Sequence, residues 1–264
     1  MSSWIVTNVP SALLLPALII VVAGTAVLIK VLVRRRFPAL RGDSHNDTTR
    51  FAYGVIGFVF AFFVGFLANS MWGQINSADA RAATEGSTAM QLARSLTDFD
   101  KEDSDRIRQS LLAYERAAAA EWPLVARGEA YPEAEDALRV LRETYQNVQP
   151  RNDAQSRSLG IAMNNLDKTS ALRSERVFQA ATDTGPPWSL WAVVLVISGM
   201  VLGCAIVYGG EKAFAQYAMT AAIGALVATI LFLILELSHP YLGDIGTSAR
   251  PLSEAIRLLE LSEK

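Results

Sequence analysis

The chain has 264 residues, of which 51% are hydrophobic and 19% charged, with a formal net charge of −2. Its mean hydropathy of +0.24 is high for a soluble domain, and the near-neutral charge without a dense Lys/Arg face excludes a nucleic-acid binder. A single cysteine, Cys204, excludes an intrachain disulfide framework or a Cys-based metal site.

The first apolar span runs from Ser11 to Val33 and ends in Arg34-Arg35-Arg36. No positive segment precedes it and no small-residue cleavage site follows, so it reads as a retained anchor rather than a removable signal. Lys30, a turn from that end, is placed to snorkel. A loop over 34–50 follows, with Arg34, Arg35, Arg36, Arg41 and Arg50 against Asp43 and Asp47. The second span, Phe51 to Trp72, carries Phe58, Phe62 and Phe66 at i, i+4 and i+8, three rings on one helical face that suits lipid or a packed neighbouring helix as well as a pore constriction. Each span is about 20 residues, enough helix to cross a ~30 Å hydrocarbon layer.

Residues 74–187 are rich in Ala, Leu, Glu and Arg and poor in strand formers, which predicts helices. No Gly-Pro break separates Trp72 from Leu96, so the second span is expected to continue as one helix out of the membrane. Thr97-Asp98-Phe99-Asp100 marks a turn. A helix with Ile107, Leu111, Tyr114, Ala118, Trp122 and Val125 on one stripe follows, closed by Gly128 and kinked by Pro123. Pro132 opens the next, with Leu138, Leu141, Tyr145 and Val148 on its stripe, and Pro150 ends it. The fourth carries Leu159, Met163, Leu166, Ser170, Arg173 and Val177 and is broken by Gly185-Pro186-Pro187. An even number of helices makes an antiparallel bundle whose two ends meet the same membrane face.

The third span, Trp188 to Tyr208, and the fourth, Phe214 to Leu237, are joined by Gly209-Gly210-Glu211-Lys212-Ala213 and form a hairpin. Gly199-x3-Gly203 and Ala221, Ala225 and Ala228 offer close helix approach. Beyond His239-Pro240, Leu252, Ile256, Leu258 and Leu259 make an amphipathic tail, placed either on the outer leaflet or on the bundle.

The fold class is therefore all-α. Residues 1–73 hold membrane helices 1 and 2, 74–187 the bundle, 188–238 membrane helices 3 and 4, and 239–264 the tail. Lys/Arg in short loops mark the cytoplasmic side, so the Arg loop lies inside and the bundle and both termini outside. Trp4, Trp72, Trp188 and Trp191 then gather near the outer interface. Glu236, among apolar neighbours near the end of span four, calls for a partner such as Arg173, Arg176 or Arg250, or else lines an ion or proton path. Glu121 beside Trp122 calls for a cation, with Arg173 or Arg176 as the candidates. Arg34, Arg35 and Arg36 are expected to meet anionic lipid. No catalytic, cofactor or metal motif stands out, and His45 and His239 fall on opposite sides in this topology.

One ordered series remains. Trp72, Ala78, Glu85, Leu92 and Leu96 lead to Tyr114 and Glu121-Trp122-Pro123, then to Arg173, Arg176, Trp191, Glu236, Pro240-Tyr241 and Gly243. Over essentially the whole chain this resembles the bacterial bestrophin-like domain family, with the Tyr-x6-Glu-Trp-Pro run the most specific element. Where that family often has an aspartate before the late Pro-aromatic pair, Leu237-Ser238-His239 stands here. The resemblance implies a multi-pass protein of the bacterial plasma (inner) membrane. Kinship with bestrophins implies a homo-oligomeric anion channel lined by the second helix, with Phe58, Phe62 and Phe66 as its constriction. Bestrophins keep the domain between helices two and three in the cytoplasm, whereas the Arg loop here places it outside. The other reading is a membrane scaffold or sensor whose bundle binds a partner protein or ligand.

Overall fold

A computed structural model describes residues 2–37, 46–127, 129, 131–182, 186–209 and 213–261. The loop positions Arg41, Asp43 and His45, the helix terminator Gly128, Gly185 of the Gly-Pro-Pro break, and Gly210-Glu211-Lys212 of the hairpin turn lie outside the described residues. The described elements are helical: α1 (Ser2–Asn8), α2 (Ser11–Arg36), α3 (Asn46–Ser95), α4 (Lys101–Val125), α5 (Pro132–Gln146), α6 (Asp153–Thr182), α7 (Trp188–Val207), α8 (Ala213–Leu237) and α9 (Arg250–Leu261). Four of them, α2, α3, α7 and α8, are long and apolar enough to cross a membrane. The chain divides into two compact units, one of 1–73, 184–239 and 243–245, the other of 74–183, 240–242 and 246–264. Helix α3 is 50 residues long and gives its first part to one unit and its last part to the other.

In the membrane unit α2 and α8 approach closely. A Cβ built on Gly224 would lie 2.7 Å from the Cα of Ala23, so backbone meets backbone there. Gly199 and Gly203, expected to serve such an approach, would meet nothing within 4 Å if each carried a methyl group, and are not used for packing inside the protomer. Phe60 and Val64 of α3, Val201 of α7 and Val227 of α8 form a buried apolar cluster of this unit.

The second unit is a helical bundle around Leu92, Ile107, Leu111, Tyr114, Leu141, Tyr145 and Leu166. A short 3-10 turn, Leu96–Asp98, ends α3. Helix α4 starts with Glu102 and Asp103, whose charges favour a helix N-terminus, and passes through Pro123 to end two residues later. Near the C-terminus a proline removes little of the ladder, which is why α4 tolerates it. Helix α9 uses its apolar face inside this unit: Leu252, Ala255 and Leu259 are buried. Its Pro251 lies where a Cβ on Gly86 of α3 would come within 2.7 Å. An interfacial position of that face on lipid is thereby replaced by packing, which removes the same apolar surface from water.

Candidate functional site

Arg173 and Arg176 are one turn apart on α6 and therefore share a face. Arg173 donates from Nε and Nη2 to the two oxygens of Glu121 on α4, at 3.1 and 2.7 Å. Its Nη1 reaches Glu135 of α5. Arg176 donates to Glu85 of α3 at 3.0 and 3.2 Å and to Glu121 at 3.2 Å. The guanidinium of Arg176 also stacks over Trp122, 4.7 Å from the ring centroid. Trp122 in turn donates its indole N–H to the carbonyl of Thr247 at 3.3 Å and packs beside Tyr241. Three helices are thus tied by one ionic network, with α5 attached at its rim. Burial opposes the charge on both arginines, and the surrounding carboxylates more than compensate, raising their pKa values.

Glu115 stands beside this network without joining it. It is fully buried, and neither carboxylate oxygen has a hydrogen-bond partner among the described residues. Burial and the nearby charge of Glu85 push it up to about 8, against a smaller pull from Arg176. The buried carboxylates of Glu85 and Glu121 already match Arg173 and Arg176. A third negative charge has no counterpart, so Glu115 is held as the neutral acid at neutral pH.

In the membrane unit, Phe58, Phe62 and Phe66 are 73%, 70% and 68% exposed, while Phe60, on the other side of α3, is buried. The three-ring face is not covered within the protomer. Glu236 is buried near the C-terminal end of α8, and Ser11 donates its hydroxyl to Oε1 at 2.9 Å. Gly243, at φ 79°, brings its backbone so near that a Cβ would lie 2.9 Å from Oε2. Among the described residues no guanidinium pairs with Glu236. The expected partners Arg173 and Arg176 are engaged by Glu85, Glu121 and Glu135.

Two basic residues differ from expectation. Lys30 does not snorkel: it is fully buried and donates to the carbonyls of Ala205 and Tyr208, at 2.8 and 3.2 Å, and to the hydroxyl of Thr220 at 2.9 Å. It therefore caps α7, whose last carbonyls have no helical donors. Arg34 is buried too, with its guanidinium 5.8 Å from the centre of the Tyr217 ring, whereas Arg35 and Arg36 remain exposed. The basic run is the last turn of α2 rather than a loop, and its first arginine faces protein because it lies one turn beyond Lys30.

Among the described residues no three His, Cys, Asp or Glu side chains group as metal ligands. The roles of Lys30 and Glu115 do not emerge from the sequence pattern, although Glu115 lies four residues after Leu111 and three before Ala118, on the edge of the predicted apolar stripe.

The model of the Bestrophin-like domain family matches residues 20–252. Among solved structures, one point variant of a bacterial bestrophin homologue from Klebsiella pneumoniae matches with TM-score 0.66 at 14% identity, covering 94% of this chain and 98% of that one. A second variant gives TM-score 0.70 at 14% identity, with coverage of 93% and 99%. A chain described as a membrane protein gives TM-score 0.65 at 15% identity, with coverage of 92% and 96%. No curated protein matches the sequence.

Proposed function

The chain belongs to the bestrophin-like domain family, and from that premise we propose that it is a non-enzymatic, homo-oligomeric, anion-channel-like protein whose path is lined by α3. The observation that carries this reading is the bare face of Phe58, Phe62 and Phe66. Copies arranged around an axis would turn those rings toward a common centre, stacked one helical turn apart. A ring of phenylalanines constricts water, and the positive edges of the rings tolerate an anion where a carboxylate would repel it. Several copies are required, because four largely apolar helices enclose no wet path alone.

In the proposed topology the Arg34–Arg36 end faces the cytoplasm of a bacterium and the bundle forms an outer vestibule, with N- and C-termini on that side. The Arg173–Glu121–Arg176–Glu85 network serves to hold the vestibule's helices together. Glu236 is engaged by Ser11 and the Gly243 turn and closes the outer end of α8.

The mass of the detergent-solubilised protein tests the proposal. A closed ring of copies is expected. A monomer or dimer with sealed spans overturns the pore and leaves the scaffold or sensor role. The orientation is tested by replacing Cys204 with Ala and placing a cysteine at Asp136, an exposed position on α5. Labelling by an impermeant reagent in intact spheroplasts is expected; labelling only after lysis puts the bundle inside.

A further inference from the structure

Helix α9 depends on the bundle for its structure. Its 12 residues make a helix that is marginal alone in water, so it keeps its form by docking. Leu252, Ala255 and Leu259 supply the buried face, and Pro251 seats it against Gly86 of α3. From α4, Arg116 reaches Glu260 of α9 at 2.7 Å, an exposed pair that adds little. Trp122 of α4 ties the segment that leads into α9, through the carbonyl of Thr247 and the ring of Tyr241.

Glu115 stands at this junction. It directly precedes Arg116 and lies seven residues, close to two turns, before Trp122, on the flank of α4 that carries both ties to the C-terminal segment. Glu85, whose charge acts on Glu115, adjoins Gly86, where α3 meets Pro251. The three helices converge around a fully buried carboxyl, neither oxygen of which has a hydrogen-bond partner among the described residues.

On the elements packed here the cations are engaged elsewhere or turned to solvent. Arg173 and Arg176 of α6 are bonded to Glu121, Glu135 and Glu85, and only a smaller pull from Arg176 reaches Glu115. Arg81 of α3 is bonded to Gln179 and Glu175, and Arg108, two turns earlier on the same side of α4, to Asp105. On α9, Arg257 pairs with Glu254 and Arg250 is exposed. Tyr114 of α4, Tyr145 of α5 and Tyr241 are phenols whose pKa values burial raises, so they stay neutral while Glu115 titrates.

We propose that Glu115 is a proton-operated latch for the C-terminal helix: α9 stays docked on α3 and α4 while this carboxyl is protonated, and its ionisation drives release. Docked, the carboxylate shares a dry space with Glu85; once α9 leaves, water solvates it. A short terminal helix with a small buried face is also the element that opens at least cost. Between pH 4.5 and about 8 the docked form holds a proton that the open form has lost, so opening grows with pH across that window and levels off above it. The latch stands whether or not a ring of copies conducts.

Amide hydrogen exchange of the full-length protein in detergent, at pH 6.5 and 8.5 and corrected for the intrinsic rate, reads opening helix by helix. Two results are expected together in the wild type. Residues 252–261 are at least tenfold less protected than the centre of α4, and their protection falls more than tenfold between the two pH values. In Glu115→Gln, which keeps the neutral shape, that fall is absent. Protection of α9 equal to that of α4 overturns the latch, since α9 then opens only when the whole bundle unfolds. Protection of α9 that is weak but unchanged by pH overturns it too, because the opening then leaves Glu115 buried. A fall that survives in Glu115→Gln assigns the switch to another group. The wild-type pair of results decides by itself if the variant fails to accumulate.

Discussion

Arg173 holds Glu121 with two guanidinium nitrogens, Nε 3.1 Å from Oε2 and Nη2 2.7 Å from Oε1, and both side chains are buried. A buried pair of this kind is costly to break from one side only. Desolvation has already been incurred, and the remaining charge is left without its partner.

Either Glu121→Ala or Arg173→Ala is therefore expected to destabilise the bundle by about 3–5 kcal/mol. The double replacement Glu121→Leu with Arg173→Met is expected to cost much less than the sum of the two single changes, since it removes both charges together. Thermal unfolding of the full-length protein in detergent measures the cycle. Additive losses would mean that the two residues act independently.

Much of this is legible in the sequence. The four spans are visible as apolar runs, and α3 stays continuous because nothing between Trp72 and Leu96 breaks a helix. Glu121 next to Trp122 on an apolar stripe signals a need for a cation, and both candidate arginines meet it. Lys30 departs from its expected snorkelling because its acceptors lie 175 and 178 residues away, a distance no local pattern encodes. Short α1 is hidden for a related reason: seven residues ahead of Pro10 carry too little periodicity to register. The close approach of α2 and α8 falls to Gly224 instead of Gly199-x3-Gly203, since small residues permit contact but do not choose the partner.

Glu115 makes the bundle sensitive to pH. Burial, then the charge of Glu85, raise its folded pKa from an ordinary 4.5 to about 8. Between those values the folded protein holds a proton that the unfolded chain has released, so stability falls as pH rises from about 4.5 to about 8. Replacement by Gln keeps the neutral shape. Glu115→Gln is expected to flatten the Tm between pH 6 and pH 8.5 and to leave the variant more stable than wild type at the upper end. An unchanged slope in the variant would place the titration elsewhere.

Lys30→Met removes the cap of α7. The carbonyl of Tyr208 loses its donor, and that of Ala205 keeps a longer approach from Thr220 at 3.4 Å. At about 1–3 kcal/mol for each unmet acceptor, a loss of about 2–4 kcal/mol is expected. Chemical or thermal unfolding of the solubilised protein reads it, and wild-type stability in Lys30→Met would show that the cap carries no weight.

The central claim concerns α3 and its three uncovered rings. In the proposed pore, removing the middle one would widen the constriction without touching the packed side of the helix, where Phe60 and Val64 lie. The most direct measurement is iodide entry into liposomes carrying the full-length protein, wild type against Phe62→Ala at equal incorporation. Flux well above that of empty vesicles, several-fold faster in Phe62→Ala, is the expected result. No flux from either protein, with insertion verified, would contradict an anion path along this helix.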